Sequence, residues 1–289
     1  MVAGYQFAAL AQYHLLQLTD CHLVADPDGD YQQIRPYRHL QRLLQHVRQH
    51  YLSVPVAAAP ISAAPVSVGP FSVGKAQPRR PALSQPLTAV ILTGDLTQDH
   101  SLASYMLLAD LLKDWPTPVF YLPGNHDDRE LMAQAFARSP FQPESCLAGS
   151  GWQWLLLDSK GPTPAGSFDQ QRCQNLQQQL DLAPAAVWLF CHHHPVPIGA
   201  AIDRDGWQQP ELLLQLLQHY PKVKGLAHGH CHDAYQRTLT TPPLQLVGCP
   251  ATSVQFRRSS DWLTEDQGPQ ACLWTFTAKG EVLWEFIRC

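Results

Sequence analysis

The sequence predicts a layered α/β domain, and three observations carry that expectation. Short apolar runs of strand length alternate with longer segments of helical period along most of the chain. Several of those runs end in a Gly, Asp, Asn or His cluster, which is where open α/β sheets place their chemistry. The tail carries further strand patterns without intervening helices, so β structure is expected to close the domain. At 289 residues the chain can bury a large core.

Taken in order, residues 1–12 read as a loosely held arm. Residues 13–19 alternate as a strand ending at Thr19-Asp20. Leu40, Leu43, Leu44 and Val47 recur at helical spacing, which predicts an amphipathic helix over 36–51 with Pro36 near its start. Residues 53–86 break the pattern. Seven of them are Pro, charge appears only at Lys75, Arg79 and Arg80, and neither period is sustained, so an irregular insertion is expected. It reads as a tolerated surface insertion, with a lid or partner-docking segment as the alternative.

Order returns at Ala89-Val90-Ile91-Leu92-Thr93, a buried strand that delivers Gly94-Asp95. Ser101 suits the cap of a helix to Lys113 with Leu102, Tyr105, Met106, Ala109 and Leu112 on one face. The apolar run 118–122 ends at Pro123-Gly124 and opens onto Asn125-His126-Asp127, followed by a helix over 128–138. Beyond it come a strand over 152–158 and a helix over 169–180 burying Cys173, Leu176 and Leu180. A strand over 186–191 then runs into His192-His193-His194. A helix over 210–219 and a strand over 223–227 precede Gly229-His230-Cys231-His232, and strands are expected at 244–247, 272–276 and 282–287.

A net charge of -4 gives no electrostatic reason to expect nucleic acid or an anionic membrane as partner. The eight cysteines show no paired CxxC spacing, which argues for reduced thiols in the cytoplasm over a zinc ribbon or a disulfide framework. No Lys or Arg precedes Arg35, and Gln12 and His14 interrupt the early apolar residues, so neither a secretory leader nor a membrane span is expected.

Fourteen histidines are the compositional anomaly, and their placement explains it. Asp-x-His at a strand end aims two ligands from one tight turn, and Gly-His-x-His does the same with two imidazoles. Asp20, His22, Asp95, Asn125, one histidine of the 192–194 triplet, His230 and His232 make seven oxygen and nitrogen donors. That is too many for one tetrahedral zinc. It suits two ions sharing a carboxylate, by the usual spacing ~3.5–4 Å apart. With no thiolate in the set, manganese, iron or zinc fits better than copper or an iron–sulfur cluster.

The ordered set Asp20-x-His22, Gly94-Asp95, Gly124-Asn125-His126-Asp127, His192-His193 and Gly229-His230-x-His232 resembles the calcineurin-like metallophosphoesterases. Within that superfamily the likeness is closer to the bacterial class III 3′,5′-cyclic AMP phosphodiesterases of the CpdA type. The further matches are Leu18-Thr19-Asp20, Leu96-Thr97-Gln98-Asp99, Leu155-Leu156-Leu157-Asp158-Ser159 and the stretch from Pro250 to Phe256. The Gly-Asp-x-Val-Asp-Arg-Gly run of phosphoprotein phosphatases is missing. The resemblance covers residues 13–289 outside the Pro-rich insertion and implies one α/β/β/α sandwich domain, two central mixed sheets flanked by helices.

It also implies roles. Asp20, His22 and His232 would hold one metal; Asn125, His192 and His230 the other; Asp95 would bridge. The two divalent ions would be iron or manganese first, zinc as the alternative. His126 and Asn125 are the catalytic pair the resemblance implies, with His126, near Asp127 or another carboxylate, protonating the leaving oxygen. His22, Asp95, Asn125, His126 and His232 would contact substrate, and the base of a cyclic nucleotide would lie toward the loops around His193 and Gln255-Phe256. Hydrolysis to the 5′-nucleotide by a metal-activated hydroxide is the activity implied. A nucleotide or sugar-nucleotide hydrolase with the same ligands is the rival, and a non-catalytic scaffold on this fold is the more distant one. Oligomeric state is not legible.

Overall fold

The computed structural model describes residues 4–52, 72–73 and 86–289, so nearly all of the expected insertion lies outside the described residues. A short strand β1 (Tyr5–Gln6) precedes β2 (Gln12–Leu18). Helix α1 (Pro36–Val47) follows, its proline in the first turn where no backbone donor is lost, and a π turn extends it over Arg48–Leu52. After β3 (Ser72–Val73) and β4 (Ala89–Thr93) comes α2 (Leu102–Leu112), capped by the Ser101 hydroxyl accepting from Ser104 N. Strand β5 (Val119–Leu122) leads to α3 (Arg129–Ala135), whose Asp128 cap accepts from Glu130 N and Leu131 N.

The second half opens with β6 (Phe141–Gln142), β7 (Cys146–Gly149), β8 (Trp152–Leu156) and β9 (Gly166–Ser167). Helix α4 (Gln170–Leu182), capped by Asp169, and β10 (Ala186–Phe190) come next. A 3₁₀ turn (Ala201–Asp205), β11 (Trp207–Gln208) and α5 (Pro210–Gln218) precede β12 (Val223–His228), β13 (Tyr235–Thr240) and β14 (Pro243–Gly248). The paired β15 (Gln255–Phe256) and β16 (Thr264–Glu265) are followed by β17 (Gln270–Thr277) and β18 (Val282–Arg288).

Two mixed sheets result, one in the order β18-β17-β2-β4-β5-β6 and one in the order β1-β7-β8-β10-β12-β14-β13-β3. The period-2 alternation of each strand sorts its side chains into layers. Leu16, Leu18, Val90 and Leu92 face α1, α2 and α3, whereas Leu15, Ala89, Ile91 and Phe120 face the other sheet. From the opposite sheet Trp152, Trp154, Trp188 and Phe190 point inward, and Leu155, Val187 and Leu189 pack under α4 and α5 with Leu180 and Leu217. The α/β/β/α sandwich with two central mixed sheets is therefore the observed architecture. Because β2, β4 and β5 are mutually parallel, as are β8, β10, β12 and β14, their carboxyl ends present the predicted loops on one side.

Several expectations need correction. The first twelve residues are not a loose arm where they are described. Tyr5 and Gln6 pair in parallel with Leu147 and Ala148, and Phe7 is buried against Tyr13, Phe120 and Trp154. β2 alternates between two cores and leaves no solvent face, because it lies between β17 and β4 with a layer on each side. In α2 the buried face includes Ser104 and Leu108, with Leu102 and Met106 only partly covered, and Cys173 in α4 is only half-buried. Among the described helices, none is long and apolar enough to cross a membrane.

Candidate metal centre

The loops at the strand ends leave their strands sharply. Asp20 (φ 52°), His22 (φ 48°), Asp95 (φ 51°), His230 (φ 66°) and His232 (φ 51°) all adopt the left-handed backbone conformation. Such residues cost on the order of 1–3 kcal/mol each and persist only where their surroundings over-determine them, although Asp and His tolerate the region better than most. Here the surroundings are backbone hydrogen bonds between loops. Asp20 N donates to Gly94 O at 2.9 Å, His22 N to Asp95 O at 3.0 Å, and the Ser253 hydroxyl to Asp20 O at 2.7 Å. Alternating left-handed residues aim i and i+2 side chains at one point. Gly94 and Gly124 make the approach feasible, since a Cβ on either would collide with the other loop's backbone.

The predicted ligands converge. Donor atoms of Asp20, His22 and His232 lie within 4.8 Å of one another, as do those of Asp20, Asp95 and His192. His22 Nε2 sits 3.1 Å from His232 Nε2, and His192 Nε2 sits 3.1 Å from Asn125 Oδ1 and 3.2 Å from His230 Nδ1. Asp95 Oδ2 lies between the two groups, 3.3 Å from His192 Nε2 and 3.8 Å from His22 Nε2. Its other oxygen accepts from His126 N at 2.8 Å. All the charged and imidazole members of this cluster are buried.

The ring hydrogens show which nitrogens are available. An acceptor oxygen can only receive, so each ring nitrogen bonded to one carries the proton. His192 Nδ1 donates to Thr93 O at 2.8 Å, His232 Nδ1 to Val254 O at 2.7 Å, His230 Nε2 to Asp205 O at 3.0 Å, and His22 Nδ1 to Gln98 Oε1 at 2.8 Å. The opposite nitrogens all point inward; in the neutral rings each carries a lone pair, and on His192 a cation would take the place of the second proton that Asp95 favours. Lone pairs facing each other at about 3 Å repel unless positive charge lies between them, and outward anchoring of this kind is how metal-binding histidines are held. The donor set therefore fits two cations, with Asp20, His22 and His232 able to hold one and Asn125, His192 and His230 the other.

Electrostatics point the same way. Burial, with His232 adding to it, pushes His22 down to about 3, although Asp95 opposes this. Burial next to His193 and His192 keeps His230 well below the usual imidazole range, so both rings are neutral and able to ligate. Burial also opposes the charged forms of Asp95 and His192, but each one's attraction to the other wins. Asp95 is held well below the usual carboxylate range, and His192 is raised to about 9. These are two views of one interaction: Asp95 demands a positive neighbour.

His193 also lies beside His192 and His230, but it has no lone pair to offer. Its Nε2 donates to Pro164 O at 3.0 Å and its Nδ1 is bonded to the Ser159 hydroxyl at 2.8 Å. His194 is turned to Asp203 and His228 to the Tyr235 hydroxyl. The three cysteines adjoining ligand positions, Cys21, Cys191 and Cys231, are buried with thiols pushed upward by desolvation.

Two expectations change. Asp127 is not a partner of His126. Its carboxylate accepts from Gly124 N at 2.8 Å, Leu96 N at 3.1 Å and the Tyr105 hydroxyl at 3.0 Å, clamping the two glycine loops together. His126 instead lies edge-on to His22 at 5.2 Å, and among the described residues no side chain claims its Nδ1. Nor can His193 and Gln255 line a pocket for a base. Both are buried, and the Gln255 amide is consumed by Ala251 O and Gln267 N.

The structure adds a supporting ring of residues, most of which sequence reasoning missed. Tyr31 stacks on His22 at 4.5 Å, Phe256 on His232 at 3.9 Å, and Lys160 donates to Asn125 O at 2.6 Å. Phe256 carried a signal through its place in the Pro250–Phe256 stretch, and Gln98, which anchors His22, through the Gly94–Asp99 run.

Over residues 13–234 the sequence matches the family described as calcineurin-like phosphoesterase. The chain belongs to that family. Among curated members of known name, a probable cyclic nucleotide phosphodiesterase of Pseudoalteromonas is 32% identical over 89% of this chain and 85% of its own length. One from Colwellia psychrerythraea is 36% identical over 68% of this chain and 78% of its own. The 3′,5′-cyclic adenosine monophosphate phosphodiesterase CpdA of Escherichia coli is 28% identical over 86% of this chain and 80% of its own. Of solved structures, a dimetal phosphatase from Danio rerio superposes with a TM-score of 0.57 at 14% identity, covering 94% of this chain and 98% of its own, which supports the fold alone.

Proposed function

We propose that this chain is a dinuclear-metal phosphodiesterase that opens 3′,5′-cyclic AMP to 5′-AMP. The observation that carries the reading is the set of four histidines with ring hydrogens anchored outward and the opposite nitrogens turned onto two carboxylates and an amide oxygen. The names of the relatives supply the substrate class. Asp20, His22 and His232 would hold one ion and Asn125, His192 and His230 the other, with Asp95, whose carboxylate faces both groups, shared between them. Oxygen and nitrogen donors without thiolate favour iron or manganese over softer ions, with zinc as the alternative.

Divalent ions held there supply Lewis-acid charge for the phosphoryl oxygens and lower the pKa of attacking water. The chain's own residues do the rest. His126, which burial lowers below the ordinary imidazole range despite Asp95, stands edge-on to His22 where it can pass a proton to a leaving oxygen. Asn125, tied at its carbonyl by Lys160, orients the phosphate beside it. Residues 13–289 work as one catalytic domain in the cytoplasm, and the sequence of residues 53–86 holds no His, Cys, Asp, Glu or Asn.

The experiment is hydrolysis of cyclic AMP, cyclic GMP and an aryl phosphodiester by purified protein supplied with manganese or iron, with the product identified as 5′-AMP. Brisk cleavage of a phosphomonoester or nucleotide-sugar with no turnover of cyclic AMP would replace this reading by the rival hydrolase.

A further inference from the structure

Only three large apolar side chains are exposed among the described residues, and two of them, Trp262 at 46% and Leu263 at 45%, sit together in the β15–β16 loop just before β16. An exposed tryptophan there is notable because of what lies beneath it. Phe256, at the base of the hairpin, stacks flat on His232 with ring centres 3.9 Å apart and an interplanar angle of 6°. Trp262 meets that phenyl ring edge-on at 5.5 Å and 87°. The indole is thus one ring removed from a ligand of the first metal group.

From the other side comes Arg204, its guanidinium carbon 5.4 Å from the centre of the Trp262 ring. Arg204 belongs to the 3₁₀ turn whose next residue, Asp205, accepts the ring hydrogen of His230, a ligand of the second group. The turn and the hairpin are stitched by Ala201 N donating to Ser259 O at 2.6 Å, and Arg204 Nε donates to Ala201 O at 3.0 Å. Two elements, each anchored on a different half of the metal centre, therefore meet at its rim and put an indole and a guanidinium together in solvent.

We infer that Trp262 and Arg204 form the platform that receives the base of the cyclic nucleotide. This rests on the phosphodiesterase reading and adds where the non-reacting part of the substrate goes. Every nucleobase has a π face, and an indole backed by a guanidinium offers stacking and a cation without a hydrogen-bonding cage. Purines, with the larger face, bind better than pyrimidines, and adenine and guanine are separated only weakly. Within the loops expected to take the base, the His193 and Gln255 side chains are buried and bonded, so the exposed Trp262 in the loop after Phe256 is the group that can meet it.

The test compares W262A and W262F with the unaltered protein on cyclic AMP and on the same ribose cyclic phosphate lacking a base. Half-exposed in the β15–β16 loop, Trp262 can be truncated without opening the core, and an unchanged melting curve checks this. W262A should raise KM for cyclic AMP about 5- to 10-fold, the lower end of what base–aromatic stacking contributes, and should lower the preference for cyclic AMP over the abasic substrate by the same factor. W262F should recover most of that preference, and R204A should lose a smaller part of it. An unchanged KM for cyclic AMP in W262A, or equal weakening of both substrates, overturns the inference and leaves the phosphodiesterase reading standing. Failure of the unaltered protein to open cyclic AMP removes both.

Discussion

The anchoring of His22 by Gln98 invites a quantitative test. Gln98→Leu keeps the side-chain volume roughly constant and removes the oxygen that holds the Nδ1 hydrogen 2.8 Å away. Outer hydrogen bonds of this kind are typically worth about 10–100-fold in metal affinity. The structure places this one toward the lower end. The His22 ring is also held by Tyr31, stacked at 4.5 Å and 13°, so the ring plane survives and chiefly the tautomer is lost. Affinity at the Asp20–His22–His232 group should fall about tenfold, near 1.4 kcal/mol. The other group, whose histidines are anchored on Thr93 O and Asp205 O, should hardly change. Chelator competition followed by metal analysis per chain resolves the two. Gln98→Glu, which restores an acceptor with a charge, should bind at least as tightly as the unaltered protein. Retention of both ions by the leucine variant at every chelator concentration that strips neither from the parent would refute the reasoning.

Three further outcomes follow from the same geometry. Asp95→Ala removes the carboxylate that faces both groups, so metal analysis should find both positions depleted; two retained ions would end the bridging role. His126→Ala should keep its metals and lose roughly two to four orders in kcat, the usual worth of a positioned acid or charge stabiliser, and full turnover in that variant would dismiss it from catalysis. Tyr105→Phe deletes the buried hydroxyl that donates to Asp127 and accepts from Asp128 N at 2.8 Å. Urea unfolding should show a loss of about 1–2 kcal/mol, and an unchanged midpoint would mean that the Tyr105 hydroxyl does not brace Asp127.

Much of the centre was legible before the structure because its ligands are side chains, placed after apolar runs and beside glycines, and residue identity is what a sequence records. Their anchors were not legible for the converse reason. Thr93, Val254 and Asp205 act through backbone carbonyls, which every residue possesses, so nothing in their identity marks them. The residues alone left the triplet open and only the resemblance picked His192; the physical reason, that Ser159 and Pro164 consume both nitrogens of His193, lies in partners remote in sequence. In the fold, Tyr235–Thr240 escaped notice because β13 lies beside β14 near the edge of its sheet with polar residues on its outer face, so its alternation lacks the apolar run that marked central strands. The first residues misled for a related reason. Phe7 is held by the aromatic layer between the sheets, a contact that local periodicity does not contain.

The left-handed ligand positions set a direction for how this protein changes under selection. At Asp20, His22, Asp95, His230 and His232 the backbone would accept glycine more readily than the residue it carries. A population screened for heat resistance alone, with no demand for turnover, should therefore drift toward glycine or asparagine at these places first. Its survivors would be hardier and metal-free. The chemistry of this centre is kept only by continued use, because the chain itself has a standing incentive to give it up.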